Sequence, residues 1–126
     1  YNNGEMYRDF TYVDDLGRSI HSLIDIIPKI SSDNLSVKDS LSSVAPFRIV
    51  NIGNSNKVKL LDFIDVIEKI LDKKAIRNYM PQQNGDVTAT WADASLLKDL
   101  TGHKSQTNFN DGITHFVKWY REYYDV

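Results

Sequence analysis

The stretch "FRIVNIGNSNKVKLLDFIDVIEKIL" (residues 47–71) carries two hydrophobic periods in succession. Residues 47–53, Phe-Arg-Ile-Val-Asn-Ile-Gly, form a nearly continuous apolar run closed by Gly53. Such a run suits a strand covered on both faces, as in a parallel sheet. From Leu60 the period changes. Leu60, Phe63, Ile64, Ile67, Ile70 and Leu71 return at helical spacing, which predicts an amphipathic helix over 60–71. A strand feeding a helix is the repeating unit of α/β folds.

The flanking sequence continues the alternation. Residues 9–12 (Asp-Phe-Thr-Tyr) read as a short strand. Asp14 or Asp15 then caps a helix over 15–27 in which Leu16, Ile20, Leu23, Ile24 and Ile27 share one face, and Pro28 favours its end. Residues 31–46 hold six serines and no aromatic residue, the composition of a flexible surface loop. A weaker strand is expected near Ile76–Met80, followed by the turn "PQQNGDV" (81–87). Asp93 is placed to cap a short helix with Leu96, Leu97 and Leu100 that ends at Gly102. Asn110 is placed to cap a last helix with Ile113, Phe116, Val117, Tyr120 and Tyr124 on one side. The sum is one α/β domain over 1–126, with about four helices and a few short strands.

Bulk composition narrows the function classes. The 126 residues are 41% hydrophobic and 25% charged, with 15 Lys and Arg against 17 Asp and Glu. The net charge of −2 gives no electrostatic case for nucleic acid or an anionic membrane surface. No apolar run approaches the roughly 20 residues of a membrane span. The chain has no cysteine, hence no disulfide and no thiol nucleophile, which fits a reducing compartment and a cytoplasmic location. It begins at Tyr1 inside what reads as structured sequence, so a piece of a longer protein is expected.

Several chemistries lack their motifs. The six glycines (4, 17, 53, 85, 102 and 112) are scattered and make neither a Gly-x-Gly-x-x-Gly fingerprint nor a Walker loop. His21, His103 and His115 lie far apart and suggest no metal site. No tyrosine has a lysine four residues later, and there is no Gly-x-Ser-x-Gly elbow. No catalytic residue is assigned, and the chain alone is not expected to be a complete catalyst.

Four stretches in order, "YRDFTYVDDLGRSI" (7–20), "FRIVNIGNSNKVKLLDFIDVIEKILDKKA" (47–75), "MPQQNGDVTATWADASLLKDLTGHK" (80–104) and "GITHFVKWYREYY" (112–124), carry a resemblance. Together they resemble the C-terminal, substrate-binding part of nucleotide-sugar epimerases of the extended short-chain dehydrogenase/reductase family. The pattern is similar to that of the UDP-glucuronate 4-epimerase group of capsular and surface polysaccharide synthesis. The resemblance implies a parent enzyme that binds NAD on a Rossmann half and oxidises and re-reduces the sugar at C4. The glycine-rich half and the catalytic Tyr-x-x-x-Lys lie upstream in the family, so no cofactor is expected for this segment. A UDP-sugar ligand and a homo-oligomer are the partners implied. A dehydratase or decarboxylase acting on a nucleotide sugar, or a non-catalytic interaction module with the same fold, would share these motifs.

Residue by residue, Arg8 matches the family arginine that contacts the diphosphate. A planar guanidinium suits that task because its fork gives two charge-assisted hydrogen bonds to phosphate oxygens. Phe10 matches an aromatic position near the uridine end. Asp86 matches an acid that contacts the ribose or nucleotide. Gln83 stands where galactose-type epimerases carry a phosphate-binding arginine, and glutamine is the form of the glucuronate group. Without the resemblance, Arg8 reads as a surface partner of Asp9 or Glu5, and Asp86 as a turn residue. Trp91, Trp119, Tyr120, Tyr123 and Tyr124 read as packing at the core or its edge. Lys57, Lys59, Lys69, Lys73 and Lys74 read as a solvated surface.

Overall fold

The computed structural model describes residues 1–29 and 39–126. After a single 3-10 turn at Asn2–Gly4 come β1 (Tyr7–Asp9), α1 (Val13–Leu23), β2 (Lys57–Lys59), α2 (Leu60–Leu71), α3 (Ser95–Thr101) and α4 (Phe109–Tyr124). This is the expected α/β class with four helices. The strands β1 and β2 pair antiparallel in the register Tyr7–Lys59, Arg8–Val58 and Asp9–Lys57. On the other side of β1, the backbone of Tyr7 donates to Thr88 and accepts from Thr90, a parallel bridge to Ala89.

Two cores hold these parts together. In the first, α2 packs on α4, and the rings of Phe10, Phe63 and Phe109 meet between them. Phe10 stacks on Phe63 with centroids 4.3 Å apart, and Phe109 lies 5.9 and 6.0 Å from the two. In the second, α1 packs beside α3, where Leu97 is almost wholly buried. Met6, Leu41, Ala94, Ile113 and Val117 complete the buried apolar set.

The strand expected at 47–53 is not one. The segment belongs to no ladder; Phe47 and Ile49 stand exposed while Arg48, Val50 and Ile52 are half-covered. A strand needs a backbone ladder to a neighbour, and among the described residues 47–53 forms none. Its start is tied instead to residues 39–42. Arg48 grips the Asp39 carboxylate through Nε at 2.8 Å and Nη2 at 2.9 Å, and the Ser40 hydroxyl exchanges hydrogen bonds with both backbone groups of Ile49. The fork of Arg48 also holds the Asp39 carboxyl below the usual range. Of the serine-rich loop expected at 31–46, residues 31–38 lie outside the described residues. Ile76–Met80 is no strand either. Ile76 is fully exposed, and Arg77 turns back to Asp65 and Glu68 on α2.

The helix expected at 15–27 spans Val13–Leu23. Pro28 has no N–H to give to Ile24 and disfavours α geometry at Ile27, so unwinding reaches well back of the ring. Neither aspartate caps this helix. Its cap position is Tyr12, without a side-chain bond, and Asp15 is buried with Oδ2 accepting the Thr107 N–H at 2.9 Å. The cap of α4 is Asn108, two residues before the expected Asn110, whose own N–H it accepts. Asp93 accepts the Ser95 N–H at the start of α3, and the helix ends at Gly102 with φ +70° as expected.

The aromatic residues expected at the core or its edge lie outside the core. Trp91, Trp119, Tyr120, Tyr123 and Tyr124 are each about half exposed or more. On α4 they stack on one another along the solvent side, Trp119 on Tyr123 at 5.5 Å and Tyr120 on Tyr124 at 4.6 Å, while Ile113 and Val117 face inward. Lys57 sits 4.6 Å above the Trp91 ring.

Candidate functional site

Arg8 occupies the middle of β1, whose two neighbours fix its position: β2 on one side and residues 88–90 on the other. The second contact brings in the turn at 81–87. There Gly85 adopts φ +83°, a conformation costly for residues with a Cβ, and the Asp86 N–H bonds to the Gln83 carbonyl at 3.2 Å. Gln82 Nε2 donates to the Asp86 carbonyl at 2.9 Å. The turn so shaped points Asp86 at Arg8. Their side chains meet at 3.1 Å, Arg8 Nη2 donating to Asp86 Oδ1, although 78 residues separate them. Arg8 Nη1 donates to the Tyr7 carbonyl at 2.8 Å. Both side chains remain about one-third exposed, so the guanidinium is held in place yet reachable from solvent.

Asp9 is the buttress beneath this arrangement. Its carboxylate accepts three backbone N–H groups, from Asn54 at 3.1 Å, Ser55 at 3.0 Å and Ala92 at 3.0 Å. One side chain thus ties β1 to two segments far along the chain. Gly53 makes the approach possible. A Cβ there would lie 2.6 Å from the Ala92 side chain and 2.8 Å from Asp9 Oδ2. From the sequence alone Asp9 reads as a strand residue and a surface partner of Arg8, not as this anchor.

The four expected site residues divide into two places. Arg8 and Asp86 form an ion pair, and Gln83 belongs to the same turn, exposed. Phe10 is elsewhere. It helps line an open apolar cavity of about 230 Å3 with Tyr12, Phe63, Phe109, Ile113 and Phe116, to which Arg8, Gln83 and Asp86 contribute nothing. The Arg8 side offers a fork donor beside a polar turn, suited to an anion carrying hydroxyl groups. The Phe10 side offers flat aromatic carbon.

Other titratable groups serve structure. At the C-terminal end of α2, buried Glu68 accepts from Lys74 Nζ at 2.6 Å, from Arg77 Nη2 at 2.8 Å and Nε at 3.2 Å, and from the Ala75 N–H at 3.0 Å. Those donors, Lys74 first, lower its carboxyl to about 2. Lys59 pairs with Glu5 at 3.1 Å, which raises its ammonium. His103 Nε2 and Ser105 Oγ are buried without a partner. Among the described residues no group of three His, Asp or Glu side chains is placed to hold a metal ion, and no helix is long and apolar enough to cross a membrane.

The chain is 42% identical over 126 residues to a protein of Rhizobium meliloti named probable UDP-glucuronate 4-epimerase. It is 43% identical over 129 residues to Protein CapI of Staphylococcus aureus. Each alignment covers 98% of this chain. The chain is homologous to a segment of UDP-glucuronate 4-epimerase-like proteins. It spans 37% of the length of each of these two curated relatives. The UDP-glucuronic acid 4-epimerase of Bacillus cereus, solved with UDP-glucuronic acid and NAD, superposes with a TM-score of 0.70 at 26% identity, covering 95% of this chain and 34% of that one. The UDP-glucose 4-epimerase of Bifidobacterium longum, at 23% identity and a TM-score of 0.72, shares the fold. No family model matches the chain. This segment of a nucleotide-sugar epimerase fold therefore holds its arginine–aspartate pair on β1 and the 81–87 turn.

Proposed function

We propose that this segment is the UDP-sugar-binding part of a nucleotide-sugar 4-epimerase that interconverts UDP-glucuronate and UDP-galacturonate for surface polysaccharide synthesis in the cytoplasm. The observation that carries the proposal is the Arg8–Asp86 pair, on a chain 42% identical to a named UDP-glucuronate 4-epimerase. Arg8 presents a planar fork that can take two oxygens of a diphosphate with charge assistance. Asp86, released from Arg8 when phosphate replaces it, becomes an acceptor for a ribose hydroxyl. Gln83 on the same turn adds a neutral amide where a second cation would otherwise stand. Phe10 supplies aromatic surface toward the uridine end.

The residues present do not fit NAD. A dinucleotide's pyrophosphate needs glycines that let the backbone approach and a helix N-terminus aimed at it. The sequence has no Gly-x-Gly-x-x-Gly, and Gly17 and Gly112 stand inside helices. In the parent, NAD would be held outside this segment and would supply the hydride chemistry at C4. Titration of this chain with NAD is expected to show no saturable heat. The parent is proposed to work as a homo-oligomer.

A chimera tests the function. This segment is joined to the remaining part of the Rhizobium meliloti relative, in place of that protein's own segment. The expected result is conversion of UDP-glucuronate to UDP-galacturonate, read by chromatography of the sugar nucleotides. A folded chimera that converts UDP-glucose but not UDP-glucuronate would reassign the sugar. One that binds no UDP-sugar would overturn the proposal.

A further inference from the structure

Arg8 is held through both of its terminal nitrogens. Nη1 donates to the Tyr7 carbonyl at 2.8 Å and Nη2 to Asp86 Oδ1 at 3.1 Å. The backbone bond keeps the guanidinium from swinging away from the carboxylate. Asp86 is fixed as well: its N–H bonds to the Gln83 carbonyl at 3.2 Å, and its own carbonyl accepts from Gln82 Nε2 at 2.9 Å. The turn 81–87 contains no lysine or arginine. The cations of β2 are engaged elsewhere, Lys59 with Glu5 and Lys57 over the Trp91 ring. Arg8 and Asp86 are therefore a neutral unit, with both side chains about one-third exposed.

An anion that takes the Arg8 fork must lie beside the Asp86 carboxylate. Free pyrophosphate meets there a cation already neutralised and a like charge close by. A nucleoside diphosphate brings ribose hydroxyls as well, and an ionised carboxylate is an acceptor for them. We propose that Asp86 determines specificity by shielding Arg8 from free phosphates, and that it yields to a ligand carrying a diphosphate and a ribose together. The inference rests on the reading of this pair as a nucleotide site. It adds a role for the contact itself, which sets two opposed effects on one side chain: removing the carboxylate helps a ligand without ribose and harms a ligand with it.

Calorimetric titration of the chimeric epimerase with pyrophosphate and with UDP, at constant ionic strength, tests the proposal. The unsubstituted segment is expected to favour UDP by about 10-fold or more, the order of one hydrogen bond to a charged group. Asp86→Ala should tighten pyrophosphate by about 2- to 5-fold, the scale of a partly exposed ion pair. It should weaken UDP several-fold, because the lost ribose bond outweighs the gain at Arg8. Asp86→Asn, which frees Arg8 and keeps a neutral acceptor, should tighten pyrophosphate equally and weaken UDP less. Adding Arg8→Ala should erase the pyrophosphate gain, which separates shielding of Arg8 from a general change of charge. The turn is bonded through the Asp86 backbone, so both variants should fold, as circular dichroism and thermal melting can verify. Pyrophosphate affinity that fails to rise, or that rises without Arg8, would overturn the proposal and leave the nucleotide site standing if UDP still needs Arg8. UDP and pyrophosphate tightening together would overturn it too. An unsubstituted segment that binds UDP no better than pyrophosphate would overturn both the proposal and the nucleotide site.

Discussion

Helices α1 and α2 have similar sequences in outline and opposite fates. Both are about three turns long and both carry an apolar stripe at helical spacing. On α2 the stripe is turned inward: Phe63 stacks on Phe10, α4 lies across it, and Leu60, Ile64, Ile67, Ile70 and Leu71 are at least half-covered. On α1 the stripe is turned outward, and the inward face is made of Asp15, Ser19 and Ser22. Hydrogen bonding explains how a polar face can be tolerated inside. Ser19 Oγ donates to the Asp15 carbonyl at 2.7 Å, Ser22 Oγ to the Ser19 carbonyl at 2.9 Å, and the Asp15 carboxylate takes the Thr107 N–H. Buried polar groups with partners cost little; apolar groups left in water forgo their burial. The periodicity of a helix declares that it has two faces. Which face is covered depends on what else is there to cover it.

The contrast predicts unequal responses to truncation. Phe63→Ala should destabilise the fold by about 3 kcal/mol, since it removes a half-buried ring from a three-ring cluster, as read by urea unfolding. Ile24→Ala, at the exposed cap position just past α1, should change the stability of the fold by no more than about 0.5 kcal/mol. Equal effects would mean that the stripe of α1 is covered within the monomer, and the comparison would fail.

The polar face of α1 should be the sensitive one. Asp15→Ala leaves the Thr107 N–H without its acceptor and should cost about 1–3 kcal/mol. Asp15→Asn keeps an acceptor and should recover part of that loss. A neutral Asp15→Ala would remove the polar anchor from this account.

Acid should loosen the end of α2. The Glu68 carboxyl is depressed from 4.5 to about 2 by Lys74, Arg77 and the Ala75 N–H. A group whose folded value is depressed contributes stability that is present above its unfolded value and lost as pH falls toward the folded one. Stability should therefore decline between about pH 4.5 and pH 2, and Glu68→Gln should flatten that part of the curve. An unchanged acid limb in Glu68→Gln would assign the decline to another carboxylate.

Much of the fold was legible because most helices carry their own periodicity and stops. The span 60–71 matches α2 residue for residue, and Gly102 ends α3 where a left-handed cap demands it. The segment 47–53 was misread for the opposite reason. Its apolar run describes what a strand needs on both faces, and pairing is a property of two segments, only one of which is in the run. Caps failed in a similar way. Asp14 and Asp15 stand at a helix start, where a cap is the ordinary local use of a carboxylate, but Asp15 found a better partner 92 residues away. At the candidate site, resemblance to a family implied that Arg8 and Asp86 serve one ligand, but their direct pairing was not legible, because nothing local in either stretch specifies the other. The separation of Phe10 from that pair follows from its stacking on Phe63, a contact between β1's exit and α2 that no local pattern announces.

The central claim is that Arg8 binds the diphosphate of a UDP-sugar, and calorimetry with UDP on the chimeric epimerase tests it most directly. One charge-assisted hydrogen-bonding group is worth roughly 1.5–3 kcal/mol, so Arg8→Ala should weaken UDP binding by about 10- to 100-fold. Arg8→Lys should fall between, since it keeps the charge and loses the fork. Wild-type affinity in Arg8→Ala, with the fold intact, would contradict the account and leave Arg8 as the surface partner of Asp86.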